Sequence, residues 1–153
     1  MKLLFPGTFD PFTVGHADLV RRGLEIAGSI VVAVGVNREK KTLFPADVRT
    51  EAIRRYYADE PRVTVVEYSG LTANAVRENG ADAILRGVRD VTDFECERRL
   101  ADANRAVCGV ETVLLVADPS LQHVSSSLVR ELMSFGHPVD GMILSTYPKD
   151  PEK

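Results

Sequence analysis

Charge of one sign is scarce in this 153-residue chain, where 19 Lys and Arg stand against 22 Asp and Glu for a formal net charge of -3. So even a balance argues against a broad nucleic-acid-binding surface, and any polyanion must be met by local cations. Cysteine is nearly absent: Cys96 and Cys108 have neither a C-x-x-C spacing nor a nearby histidine pair, which argues against a metal cluster and leaves two free thiols. No apolar run approaches membrane-spanning length, and the N-terminal one is broken by Pro6-Gly7 too early for a signal-peptide core. A cytoplasmic protein with no membrane partner is expected. There is no G-x-G-x-x-G, against a dinucleotide-dependent oxidoreductase, and no G-x-x-x-x-G-K-[ST], against a Walker-type nucleoside triphosphatase. Internal repeats and low-complexity segments are missing too.

What is present is the material of one domain. Hydrophobic residues make up 44% and charged residues 27% of the chain, enough for a sizeable core over residues 1–153. A short apolar run, Leu3 to Phe5, reads as a strand. Ala17 to Ala27 places Val20, Leu24 and Ala27 at helical spacing. Ser29 to Val36 is a nearly continuous β-branched run, as expected of a strand covered on both faces. After a polar loop, Asn37 to Pro45, a helix is predicted over Ala46 to Asp59 with Val48, Ala52, Ile53 and Tyr56 inward. Arg62 to Tyr68 reads as a strand, Leu71 to Asn79 as a short helix, and Asp82 to Leu85 as a strand ending at Arg86. Val91 to Val107 follows as a helix, Thr112 to Val116 as a strand and Ser125 to Phe135 as a helix. This alternation predicts an α/β fold: a Rossmann-like five-stranded parallel sheet with helices on both faces. The tail from about 137, with three prolines, is expected to be poorly ordered at its end.

The stretch Phe5 to His16, FPGTFDPFTVGH, joins the first strand to the first helix. Pro6-Gly7 and Asp10-Pro11 punctuate a loop, and Thr13, Gly15 and His16 stand where free N–H groups and the positive end of the helix dipole converge. An anion suits that place. Arg86-Gly87-Val88-Arg89 follows the fourth strand at the edge where open α/β sheets bind ligands, and arginine offers a fixed fork of donors. Ser125, Ser126 and Ser127 open a helix, where they can cap it and also present N–H and hydroxyl groups to phosphate. Phe94, Glu97 and Ala101 share one helix face. Lys40, by itself, reads as a solvated loop lysine.

These motifs resemble a known family. Thr13-Val14-Gly15-His16 matches the [HT]-x-G-H signature of the nucleotidyltransferase superfamily, and PGTFDPFTVGH resembles the N-terminus of the phosphopantetheine adenylyltransferases. Arg86 to Arg89 is similar to the family's R-G-[LV]-R, DVTDFECE to its D-[FYL]-E-x-E segment, and Val124 to Ser127 to its [IV]-S-S-[ST]. Asn104-Arg105 is similar to the family's N-R pair, read as structural. The match runs from Leu3 to about Leu132. It implies transfer of AMP from ATP to 4'-phosphopantetheine, giving dephospho-coenzyme A and pyrophosphate, with Mg²⁺ (magnesium) carried mainly by the substrate and a homohexamer as the assembly.

The resemblance also implies roles. His16 would donate to the α-phosphate, Thr8 would lie between the substrates, and Lys40 would reach the acceptor phosphate and the reacting centre. Arg86 would hold the phosphopantetheine phosphate, with Leu71 and Thr72 beside the pantetheine arm. Phe9, Gly87, Val88, Arg89 and Glu97 would border ATP, as would Leu121, Gln122, His123, Val124, Ser125, Ser126 and Ser127. No protein residue is expected to ligate metal. The chain departs from the family at Leu121, where an aromatic residue is usual, at His123, and in the tail, where a closing helix is usual. A related nucleotidyltransferase with another phosphate acceptor, or a catalytically silent nucleotide-binding regulator, are the alternatives. The chemistry itself asks for no base: a phosphate monoester with a second pKa near ~6 is already a nucleophile at neutral pH. The site must bring two polyanions in line and stabilise charge on the α-phosphate and pyrophosphate.

Overall fold

Alternation along the first strand divides the core in two. In β1 (Lys2–Gly7), Leu3 and Phe5 face one side of the sheet and Leu4 the other, and β2 (Ser29–Gly35) repeats this with Ile30, Val32 and Val34 against Val31 and Ala33. The structure, a computed structural model, describes residues 1–37, 39–149 and 151. Within the polar loop, Arg38 lies outside the described residues, as do Asp150, Glu152 and Lys153, on which the expectation of a poorly ordered end partly falls.

The remaining elements among the described residues are α1 (Val14–Ile26), α2 (Ala46–Tyr56), β3 (Val63–Tyr68), α3 (Thr72–Glu78), β4 (Ala83–Val88), α4 (Val91–Cys108), β5 (Glu111–Val116) and α5 (Ser126–Ser134), with a 3-10 turn at Pro119–Leu121. All strand pairs are parallel, in the order β3-β2-β1-β4-β5. The order reverses direction beside β1, and the crevice above such a switch point is where an open α/β sheet binds ligands. Val20, Ala52 and Ile53 from α1 and α2 join the core on one face, and Ala75 and Val76 from α3 join the other. The five-stranded Rossmann-like sheet expected from the sequence is therefore the observed one.

Two local expectations change, and the segment after α5 finds its place. Helix α2 ends at Tyr56, which is exposed, and Tyr57 packs against the core in its place. Strand β4 runs on to Val88 because Arg86, Gly87 and Val88 pair with Leu114, Leu115 and Val116, so the arginine motif lies inside the strand. The segment after α5 packs on the core: Leu144 and Tyr147 are buried, and Ile143 forms an antiparallel bridge with Thr13.

Candidate active site

Thr13 caps α1 in an unusual box. Its side chain accepts from the His16 N–H, and the Thr13 N–H donates to His16 Nδ1 at 2.9 Å, the place that Glu or Gln takes in an ordinary capping box. Nδ1 is thereby an acceptor, so the neutral ring carries its proton on Nε2. Phe5, Phe9 and Phe12 surround the imidazole, with ring centroids 6.0, 5.1 and 5.2 Å away. Burial first, then the charges of Arg86 and Arg89, lower the His16 pKa to about 4. At neutral pH the ring is an uncharged N–H donor.

The cavity beside it has a volume of about 390 Å³, and Thr8, Phe9, His16, Lys40, Arg86, Gly87, Arg89, Glu97, Leu121, Val124, Ser125, Ser126 and Ser127 line it. Of the first three N–H groups of α1, Val14 donates to Met142 O and His16 to Thr13 Oγ1; the third belongs to Gly15, also on the cavity wall. A side chain at Gly15 would meet Thr13 and Val124 only at ordinary contact distances of 3.5 and 3.7 Å. Packing does not demand that glycine.

A second cavity of about 340 Å³ adjoins the first, and Thr72, Tyr68, Leu100 and Asn104 line it. Pro6, Gly7, Thr8, Arg86 and Glu97 line both, forming the wall between them. Arg86 spans that wall: Nε and Nη2 donate to Glu97 at 2.8 and 2.7 Å and Nη1 to Pro6 O at 2.7 Å. Glu97 is thus spoken for by a cation. Arg89 pairs with Asp93 at 2.8 Å.

Some predicted residues fall elsewhere. Val88 is buried, while Gln122 and His123 are exposed and lie off the cavity lining. Gly87 touches the cavity, but the demand for glycine there is internal: a Cβ would come within 2.3 Å of Leu19 Cδ1 on α1. Asn104, read as structural, reaches the second cavity. The serines are already engaged. Ser125 accepts from the Leu128 N–H as the cap of α5, and the Ser126 hydroxyl donates to Pro11 O at 2.8 Å.

Residues to which the sequence reading gave no site role hold the frame. Asp10, buried, accepts from the Leu43 and Phe44 N–H groups at 2.7 and 2.8 Å, which fastens the Lys40 loop to the phosphate loop. Arg49, also buried, donates to Thr8 O, to Gly35 O at 3.1 Å and to Phe44 O at 3.0 Å. Arg130 donates to Asp10 O at 2.8 Å and faces the cavity; its place three residues after Ser127 on α5 was the one signal available.

A parallel sheet with its switch point at β1, a helix N-terminus closed by the Thr13–His16 capping box and five cations lining one crevice (Lys40, Lys41, Arg86, Arg89 and Arg130) fit the class of nucleotidyltransferases. Residues 4–132 match the cytidylyltransferase-like family model. The chain is 54% identical over 140 residues to a phosphopantetheine adenylyltransferase of Porphyromonas gingivalis, covering 92% of each, and 47% identical over 138 residues to one of Phocaeicola vulgatus, covering 90% of this chain and 91% of that one. It belongs to the phosphopantetheine adenylyltransferase family. Among solved structures, a bifunctional NMN adenylyltransferase/ADP ribose pyrophosphatase from Francisella tularensis superposes with a TM-score of 0.69 at 14% identity, covering 97% of this chain and 46% of that longer protein. At that identity the likeness is one of fold.

Proposed function

We propose that the chain transfers AMP from ATP to 4'-phosphopantetheine, the adenylyl-transfer step of coenzyme A biosynthesis, with ATP in the first cavity and the acceptor in the second. The observation that carries the residue assignment is the shared wall. Thr8 and Arg86 touch both cavities, so a phosphate entering from the second meets the α-phosphate held in the first.

His16 Nε2–H donates to a nonbridging α-phosphate oxygen, a bond that strengthens as charge builds in the transition state. The Gly15 N–H and the N-terminus of α5 receive the β- and γ-phosphates. Arg86 keeps two of its five N–H groups beyond those given to Glu97 and Pro6, and these bind the acceptor phosphate. Lys40, exposed on the cavity rim, closes on both substrates. Thr72 lies along the pantetheine arm, and Leu121 and Val124 pack on the nucleoside. No group of three His, Cys, Asp or Glu suited to a metal occurs among the described residues, and the rim carboxylates Asp18 and Asp93 are paired with arginines. Such a donor set fits Mg²⁺ carried by the triphosphate itself; when bound, it neutralises charge on the leaving pyrophosphate.

The assembly is a homohexamer in this reading. Helix α4 buries none of its residues, and Val91, Leu100 and Val107 on it, with Val116 on the β5 edge, are exposed. A cytoplasmic location fits the free thiols of Cys96 and Cys108. Among the described residues no helix is long and apolar enough to cross a membrane.

Pyrophosphate release from ATP and Mg²⁺ tests the reading, with 4'-phosphopantetheine, nicotinate mononucleotide or no acceptor. Release with 4'-phosphopantetheine alone is expected. Release only with nicotinate mononucleotide overturns the acceptor, and silence in every arm with ATP still bound makes the chain a regulator.

A further inference from the structure

Phe9, in the middle of the phosphate loop, has φ +51°, the left-handed region that a bulky residue occupies only when its surroundings hold it there. The chain around it is tied from behind. Phe9, Asp10 and Pro11 give their carbonyls to Tyr147, Arg130 and Ser126, so three successive acceptors face into protein. Two of these ties come from α5. The third comes from the segment after it, which the adenylyl-transfer chemistry leaves without a task.

Tyr147 is buried, with its ring edge-on to Phe44 at a centroid distance of 5.0 Å. Its hydroxyl donates to Phe9 O at 3.1 Å and accepts from the Phe12 N–H at 2.9 Å. One oxygen therefore pins both ends of the turn. The residue after Phe12 is Thr13, whose N–H orients His16, and the residue before Phe9 is Thr8, on the wall between the cavities. The same segment bonds the start of α1 through Met142 O and the Ile143 bridge to Thr13.

We propose that Tyr147 is a positioning residue for the transfer reaction, its hydroxyl holding the Phe9 to Phe12 turn so that Thr8 and His16 meet the reacting phosphates in register. The proposal rests on the adenylyl-transfer reading for its chemistry. Without the hydroxyl, two buried backbone groups lose their partner and the strained Phe9 backbone is free to relax. A shift of about 1 Å in a positioned donor is enough to cost about 10²-fold in rate.

Tyr147→Phe keeps the ring and removes the two bonds. It is expected to lower kcat at least tenfold while the KM values for ATP and acceptor move less than threefold. Thr146→Val is the comparison: it breaks a bond from the same segment to Ala52 O, 2.7 Å long, which leads to α2 and not to the turn, and it should keep kcat. A second readout is independent of turnover. In Tyr147→Phe the Phe12 amide should exchange at least tenfold faster, and the His16 ring, titrated by NMR, should move up toward 6.5 as water reaches it. Unchanged kcat in Tyr147→Phe, equal losses in both variants, or an unmoved His16 titration overturns the proposal. If Tyr147→Phe does not fold, Leu144→Val loosens the same segment more gently, and faster Phe12 exchange with a shifted His16 titration is again required. A wild-type protein that releases no pyrophosphate defeats the functional reading by itself, whereas the His16 spectrum still decides whether Tyr147 holds the turn.

Discussion

Glu97 meets Arg86 with both carboxylate oxygens, at 2.8 and 2.7 Å, across the wall that separates two cavities. The Arg86 side chain is only 30% and the Glu97 side chain 12% exposed, so the pair is partly removed from water and each member depends on the other. Removing one partner leaves an uncompensated charge, which costs more than the pair contributes. Glu97→Ala and Arg86→Ala are each expected to lose stability, and the double variant to recover part of it. A coupling of about 1–3 kcal/mol by urea denaturation is the expected result. Additive losses would mean that the pair is held by its surroundings.

In the proposed reading Arg86 also binds the acceptor phosphate. Its remaining N–H groups are charge-assisted donors, each worth about 1.5–3 kcal/mol, or roughly 10–100-fold in affinity. Arg86→Ala should raise the KM for the acceptor by that factor and leave ATP nearly untouched. A change confined to ATP would show that Arg86 serves the nucleotide.

In the proposed reading His16 has two tasks, capping α1 and donating to the α-phosphate. Glutamine at this position of a capping box can accept from the Thr13 N–H as His16 does, whereas alanine cannot. In that reading the transition state uses the imidazole N–H, which alanine does not replace and which the glutamine amide, a donor of another shape, replaces only at a different position. His16→Ala and His16→Gln are therefore expected to lower kcat by about 10²–10³ with ATP binding largely kept. Near-normal turnover in His16→Ala, which has no donor to offer, would take the transition-state role away from His16.

The sheet was legible because its signal is repeated: Ser29 to Val36 is β-branched on both faces, and the alternation of Leu3, Leu4 and Phe5 assigns each face to its own core. The line of the site was legible for the same reason that motifs work, since Thr13, Gly15 and His16 act within one turn. Contacts that join distant segments were not. Asp10 bonds residues more than thirty positions away, Arg49 collects carbonyls from three segments, and Tyr147 reaches back to Phe9. Nothing in local spacing announces such partners. Gly87 lines the cavity as its motif suggests, but its close approach to the Leu19 side chain on α1 could not be read from that motif. At Tyr56 and Tyr57 the helical period gives out at the helix end, and the wrong tyrosine was placed inward.

Helix α4 offers an assembly test. Leu100 is 53% exposed in the single chain, near the second cavity, and has no core partner to lose. Leu100→Glu should leave the fold intact and, if α4 lies in the contact of the proposed hexamer, shift the protein to smaller species in sedimentation velocity. A variant that sediments as the wild type does would move the subunit contact away from this face.

The depressed pKa of His16 makes stability depend on pH. Burial and the nearby arginines lower it from 6.5 to about 4, so between those values the unfolded chain holds the extra proton and the folded one does not. Unfolding free energy therefore rises with pH across that window: the contribution is fully present above pH 6.5 and is lost as pH falls toward 4, about 3 kcal/mol in all. Asp93 and Asp118, lowered by the Arg89 and Ser120 hydrogen bonds respectively, lose their contributions further into acid. The difference between wild type and His16→Gln isolates the histidine. Urea denaturation at pH 7.5, 6 and 5 should show the wild type losing stability faster than the variant. Parallel curves would mean that His16 titrates alike in both states, and that the imidazole is wetter and closer to protonation than its aromatic surroundings imply.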